Sequence, residues 1–131
     1  LWAPEWVGAD ETRRIQISLV DISKAYFHAR VEDGNPMFEY YAAITRKDHN
    51  GLPENGWHPE EALDRISALK MFTQWAAYGE FSESSRGAIE IGFDADFTVL
   101  DNDITKCDPS EILDTNVIAT IVGGQSVYSN L

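Results

Sequence analysis

The side chains suited to hydrolytic or metal chemistry are three histidines (His28, His49 and His58), the single cysteine Cys107 and a scatter of carboxylates. A hydrolytic metal needs several converging ligands with one position left open, and two histidines converge most readily at short helical or strand spacings. No two of these histidines stand at i, i+2 or i, i+4, and one cysteine cannot build a thiolate site. His28, beside Phe27 and Ala29, suits a partly buried ring with one hydrogen bond, whereas His49 and His58 lie in a glycine- and proline-rich stretch where solvated side chains are expected. Lys106 would activate the Cys107 thiol only mildly, and no histidine or second cysteine stands at a useful spacing, so the thiol reads as inert. Glu60-Glu61 and Asp101-Asn102-Asp103 lack cation-loop spacing and read as solvated faces. Trp57, Trp75, Phe38, Tyr40 and Tyr41 read as packing rather than as a stacking platform.

The elements that must position these groups belong to one domain's worth of chain, 131 residues with 44% hydrophobic content. Charged residues at 24% and aromatics at 11% argue against disorder, and no apolar run approaches the length of a membrane helix. The net charge of −12 repels a phosphate backbone, so nucleic acid is excluded as a partner of the whole chain. A lone cysteine and no sign of a signal peptide make a reducing cytoplasm the expected compartment. The chain opens Leu1-Trp2-Ala3-Pro4 without an initiator methionine, which raises a fragment as one reading.

The β-branched, alternating run Ile15–Ile22 suits a strand, followed over Lys24–Ala29 by a turn or short helix. Asn35-Pro36 starts a helix, since asparagine can cap free amides and proline has its φ already set; it should run from Pro36 to Arg46 with Met37, Tyr40, Tyr41 and Ile44 on one face. Two Asn-Gly pairs, Pro53 and Pro59 make Lys47–Pro59 a long loop, the first place to look for a binding role. A second helix is expected from Asp64 to Tyr78, its stripe formed by Ile66, Leu69, Phe72, Thr73, Ala76 and Ala77, with Gly79 to end it. Strands are expected at Ala88–Ile91, Phe97–Leu100, Val117–Val122 and Ser126–Tyr128, with one helical turn after Asp108 and a hairpin about Gly123-Gly124.

The most specific pattern is Gly87-x-Ile89-x-x-Gly92-x-x-Ala95-Asp96-x-x-Val99-Leu100-Asp101, followed by Thr120-Ile121-Val122-Gly123-Gly124-x-x-Val127-Tyr128. It resembles the closing β segment of the amidohydrolase superfamily. Upstream, Val31-Glu32-Asp33-Gly34-Asn35-Pro36-Met37, Ala42-Ala43-Ile44-Thr45-Arg46-Lys47-Asp48, Gly56-Trp57-His58-Pro59 and Ala68-Leu69-Lys70-Met71-Phe72-Thr73-x-x-Ala76-Ala77-Tyr78 are similar to the stretch before that tail in the family-3 amidohydrolases. The residue types have physical reasons that are not catalytic: Gly92 allows a positive φ, Ala95 allows close packing and Asp96 can accept turn amides.

The resemblance implies a metal-dependent hydrolase of amide or related C–N bonds, built on a TIM-like barrel, in which one or two divalent metals, zinc being expected, activate water. Its implied fold class here is α+β: the C-terminal fragment of a TIM-barrel amidohydrolase, with two main helices and a small antiparallel sheet from a composite β-sandwich. Such enzymes hold metal through a His-x-His, a lysine or carboxylate, two further histidines and an aspartate commonly in Gly-Ser-Asp. This chain has no His-x-His, and reads Tyr26-Phe27-His28-Ala29-Arg30 where Gly-Ser-Asp would stand. No catalytic or metal residue is therefore assigned, and the chain by itself is expected to bind no cofactor and to be inactive. Arg46, His49 and His58 are the substrate-pocket candidates, from a loop at the barrel mouth of the complete enzyme, with Arg46 suited to a substrate carboxylate. A small-molecule substrate is expected only there; the expected partner of this chain is the missing barrel portion or a second copy. The alternative is a non-catalytic binding or association domain on the same fold.

Residues 1–30 stand apart from residues 31–131, as a diverged or foreign segment. Leu19-Val20-Asp21-Ile22-Ser23-Lys24-Ala25-Tyr26-Phe27-His28-Ala29 resembles a strand-turn of retroelement reverse transcriptases, with Asp21 matching a Mg²⁺-holding aspartate, but the later Asp-Asp pair is lacking. A diverged amidohydrolase strand, a retroelement-derived piece and coincidence all stay open. Adding Zn²⁺ or a chelator should leave the thermal melting of this chain unchanged. A shift of several degrees with Zn²⁺, lost in both His49→Ala and His58→Ala, would instead place a metal site in the loop.

Overall fold

The computed structural model describes residues 35–130. The strand expected at Ile15–Ile22, together with Asp21 and His28, lies outside the described residues.

Helix α1 (Pro36–Thr45) begins as expected, with Asn35 Oδ1 accepting the Met37 amide at 2.9 Å. It ends one residue early, because Arg46 turns left-handed (φ 59) and donates its amide to Ala42 O as the cap. Tyr40, Tyr41 and Ala43 form its buried face.

The expected second helix is two helices, α2 (Arg65–Phe72) and α3 (Gln74–Gly79), broken where Thr73 adopts φ −125 and ψ −96. Thr73 Oγ1 donates to Leu69 O at 3.0 Å, a side-chain bond that competes with regular helix geometry. Asp64 caps α2 as expected, accepting the amides of Ile66 and Ser67. The buried stripe differs from the expected one: Ala68 and Met71 are buried, whereas Ile66 is 52% exposed. The small side chain of Ala68, wholly buried, lets α2 approach the α1 face, and that approach selects which side of the helix is covered.

The core gathers Tyr40, Tyr41, Ala43, Ala68, Met71, Ile104 and Ile112. Ile112 comes from the short helix α4 (Pro109–Ile112), opened by an Asp108–Glu111 capping box. The Tyr40 hydroxyl lies 3.0 Å from Arg65 O and 3.3 Å from Ile104 O, and Arg65 donates from its two terminal nitrogens to Ile104 O (2.6 Å) and Cys107 O (2.7 Å). Burial pushes the Tyr40 phenol upward, against the Arg65 guanidinium, which pulls it down.

Strands β1 (Phe97–Leu100), β2 (Val117–Val122) and β3 (Gln125–Ser129) form an antiparallel sheet in that order. Phe97 pairs with Ile121 and Val99 with Ala119, and Thr120 pairs with Tyr128. Gly123 (φ 57) and Gly124 (φ 75) make the β2–β3 turn, where two consecutive positive φ angles match the strand twist. The segment Ala88–Ile91 is not a strand: Ile89 is 90% exposed and Ile91 fully so, among the described residues no strand lies beside them, and glycines with positive φ at positions 87 and 92 turn the chain at both ends. Among the described residues no helix is long and apolar enough to cross a membrane.

The helices and the sheet leave a cleft of about 770 Å³ between them, lined by Met37 and Phe72 on one side and Phe97, Leu100 and Ile121 on the other. Gly87 closes one part of its wall. A Cβ there would lie 2.8 Å from Ala77 Cβ and 2.9 Å from both Gln74 Cα and Thr73 O, whereas one at Gly92 would meet nothing. Both residues have positive φ, so Gly92→Ala should cost about 1–2 kcal/mol from backbone strain, and Gly87→Ala about 2–4 kcal/mol because overpacking is added. Urea unfolding of the two variants should rank them in that order; equal losses would mean that the helix junction has room to yield.

Candidate functional site

The loop after α1 is pinned rather than loose. Asp48 Oδ1 accepts the amides of Asn50 and Leu52, both at 2.9 Å, and Gly51 (φ 78) completes the turn. Arg46 and Trp57 then exchange bonds: the Trp57 amide donates to Arg46 O at 2.8 Å, and Arg46 Nε donates to Trp57 O at 3.0 Å. Gly56 is required at this crossing, since a Cβ would stand 2.7 Å from Thr45 O. The Leu63 amide, donating to Ala43 O at 2.9 Å, returns the chain to α1.

Of the three expected pocket residues, Arg46 and His58 meet around one ring. The Arg46 guanidinium carbon lies 5.2 Å from the centre of the Trp57 ring, and the His58 ring meets the same tryptophan edge-on at 4.4 Å. Arg46 is only 6% exposed, so its direct action is on Trp57, which is itself 46% exposed. His58, held left-handed at φ 49, places Nδ1 2.8 Å from Glu60 Oε1. That bond holds the Glu60 carboxyl below its ordinary range. His49 goes elsewhere, stacking on Phe38 of α1 at 5.5 Å with Asn50 Nδ2 3.3 Å from its Nε2.

Sequence reasoning set Trp57 aside as packing and Glu60 as a solvated face, yet Trp57 is the surface on which Arg46 and His58 converge. The signal available was the spacing of Trp57, His58 and Glu60 about Pro59, which starts a 3₁₀ turn and brings Glu60 back to the ring. The acidic run at 101–103 likewise has structural tasks: Asp101 takes the backbone amide and side-chain amide of Asn116 at 2.9 and 3.0 Å. Asp103 is held down at about 2 by the Thr105 hydroxyl and by Lys106. Among the described residues no group of three or more His, Cys, Asp or Glu side chains could hold a metal ion, so the residues described do not fit a divalent metal and no step is derived through one.

The glycine and aspartate motif of the tail is also built for position. Asp96 Oδ1 accepts the Gly123 amide at 2.7 Å, Ala95 O accepts that of Gly124 at 3.0 Å, and Asp94 pairs with Arg86 at 2.9 Å. The family model described as "Amidohydrolase family" matches residues 29–128, spanning that motif and the loop. The chain belongs to the amidohydrolase family. It is 33% identical over 132 residues to the "Putative amidohydrolase YtcJ" of Bacillus subtilis (strain 168), covering 97% of this chain and 25% of that protein. It is also 33% identical over 88 residues to the "N-substituted formamide deformylase" of Arthrobacter pascens, covering 67% of this chain and 16% of that protein. This amidohydrolase chain thus spans about a quarter, or less, of the length of the curated relatives it matches. No solved structure matches it.

His58→Ala removes the donor that holds the Glu60 carboxyl low, so Glu60 should titrate nearer its ordinary value of 4.5. The charged carboxylate is the form favoured by the ring, so the contact is complete above that value and is lost as acid protonates Glu60. An NMR titration in which Glu60 behaves identically in both proteins would remove the pairing.

Proposed function

We infer that this chain is the closing, non-catalytic segment of a TIM-barrel amidohydrolase that cleaves amide or related C–N bonds in a small molecule. The observation that carries the reading is the family match over residues 29–128, joined to relatives about four times its length. The complete enzyme uses a divalent metal, Zn²⁺ being the expected one, with its ligands on the remaining barrel strands. The chain alone binds none and is inactive. The relative named for deformylation of N-substituted formamides supports an N-substituted amide as the substrate class. The match to the Bacillus subtilis protein over 97% of the chain supports the first thirty residues as a diverged part of the same fold.

In this reading the loop bearing Arg46, His49 and His58 lies at the mouth of the barrel. His49 and His58 touch substrate there. Arg46 works from behind, holding the Trp57 ring against which His58 rests. The single cysteine, Cys107, suits a reducing cytoplasm.

The test compares this chain with the longer polypeptide read in frame through its gene, each loaded with Zn²⁺ and offered an N-substituted formamide. Turnover is expected from the longer protein alone, with His58→Ala raising KM more than it lowers kcat. Turnover by the 131-residue chain, or none by a longer protein that carries a His-x-His, would overturn the reading.

A further inference from the structure

The pair formed by His58 and Glu60 decides what the imidazole can recognise. The Glu60 carboxyl, held below its ordinary range by the contact, is ionised at neutral pH, and an ionised carboxylate can only accept hydrogen bonds. Its Oε1 lies 2.8 Å from His58 Nδ1, so the proton of the neutral imidazole belongs on Nδ1 and the lone pair on Nε2. We propose that Glu60 is a positioning residue that fixes His58 in this form, so that the loop recognises the N–H of an N-monosubstituted amide through His58 Nε2. The proposal rests on the hydrolytic reading, in which His58 touches substrate, and narrows its substrate class to amides that keep one N–H.

Local structure holds the ring for this task. His58 is left-handed (φ 49), and Pro59 starts the 3₁₀ turn in which the Glu61 amide donates to His58 O at 2.9 Å, bringing Glu60 alongside the imidazole. The Trp57 ring meets the imidazole at 86° with 4.4 Å between centres, and buried Arg46 backs the tryptophan at 5.2 Å. A flip of the imidazole about its Cβ–Cγ bond would exchange Nδ1 for a carbon and give up the Glu60 bond. One contact therefore sets both the tautomer and the ring's orientation. The two side chains are 55% and 65% exposed, and a pair so placed adds little stability, which leaves orientation as its effect. An acceptor built for an N–H disfavours an analogue that puts carbon there, since the nitrogen loses its bond to water and gains none. For a half-exposed acceptor the difference is roughly three- to tenfold.

Two measurements test the proposal. In the isotope-labelled chain at about pH 8, above the ordinary imidazole range, two-bond proton–nitrogen correlations read the His58 tautomer without any turnover. The expected result is a proton on Nδ1, a mixture of tautomers in Glu60→Ala, and no change in Glu61→Ala, the next carboxylate of the same turn. A proton on Nε2, or equal responses from the two variants, would overturn the positioning role. The longer polypeptide, loaded with Zn²⁺, is then offered N-methylformamide and N,N-dimethylformamide. Its preference for the first, as a ratio of kcat/KM, should fall roughly three- to tenfold in Glu60→Ala, with KM rising more than kcat falls. An unchanged preference would overturn the recognition of an N–H. Turnover of neither amide would instead fail the hydrolytic reading, and the substrate contact with it, whatever the tautomer.

Discussion

Tyr40 and Arg65 converge on Ile104 O, and the rest of the fold depends on that meeting. The phenol comes from α1 and the guanidinium from α2, while Ile104 O, which both reach, and Cys107 O, which Arg65 alone reaches, belong to the turn that leads from β1 to α4. A buried carbonyl without a donor costs about 1–3 kcal/mol, so a turn with no regular structure needs donors supplied from outside. Here they come from side chains of two helices. The helical layer is thereby fastened to the segment that carries the sheet, even though an open cleft separates much of one layer from the other.

The glycine and aspartate residues of the tail motif serve the same kind of task. Gly87 lies against the break between α2 and α3, and Asp96 receives an amide from the β-hairpin turn 27 residues away. Asp101 grips Asn116 at the opposite end of β1. These are anchor points that hold a short sheet at a set register. They explain how a pattern with no catalytic chemistry can still be specific: each position has one steric or hydrogen-bonding demand that few residue types meet.

Around Trp57 the demands are of another sort. A long loop carries a conformational cost that grows slowly with its length, and reciprocal bonds between Arg46 and Trp57 offset it by closing the loop at its base. Closure leaves the Trp57 ring half exposed with a cation on its face and a histidine at its edge. Arg46 is thereby buried against an aromatic face, while the imidazole of His58 stays exposed at its edge.

Much of this was legible locally. Asn35-Pro36, Asp64, Asp108-Pro109 and Gly123-Gly124 each announce an element through chemistry confined to a few residues, and the elements start or turn there. β1 and β2 stand where their alternation places them. Tertiary structure decided what depends on neighbours. Whether Ala88–Ile91 becomes a strand rests on having an edge beside it, and the periodicity of Ile89 and Ile91 says nothing about that. Gly87, fourteen positions on, packs against the break at Thr73, and the exposure of Ile66 answers to which face of α2 meets α1. The union of Arg46 and His58 on Trp57, with His49 drawn away to Phe38, is likewise set by the path of a closed loop. Caps and turns are short-range hydrogen bonds that a sequence carries within itself, whereas burial and convergence are properties of surfaces that exist only once the chain has folded.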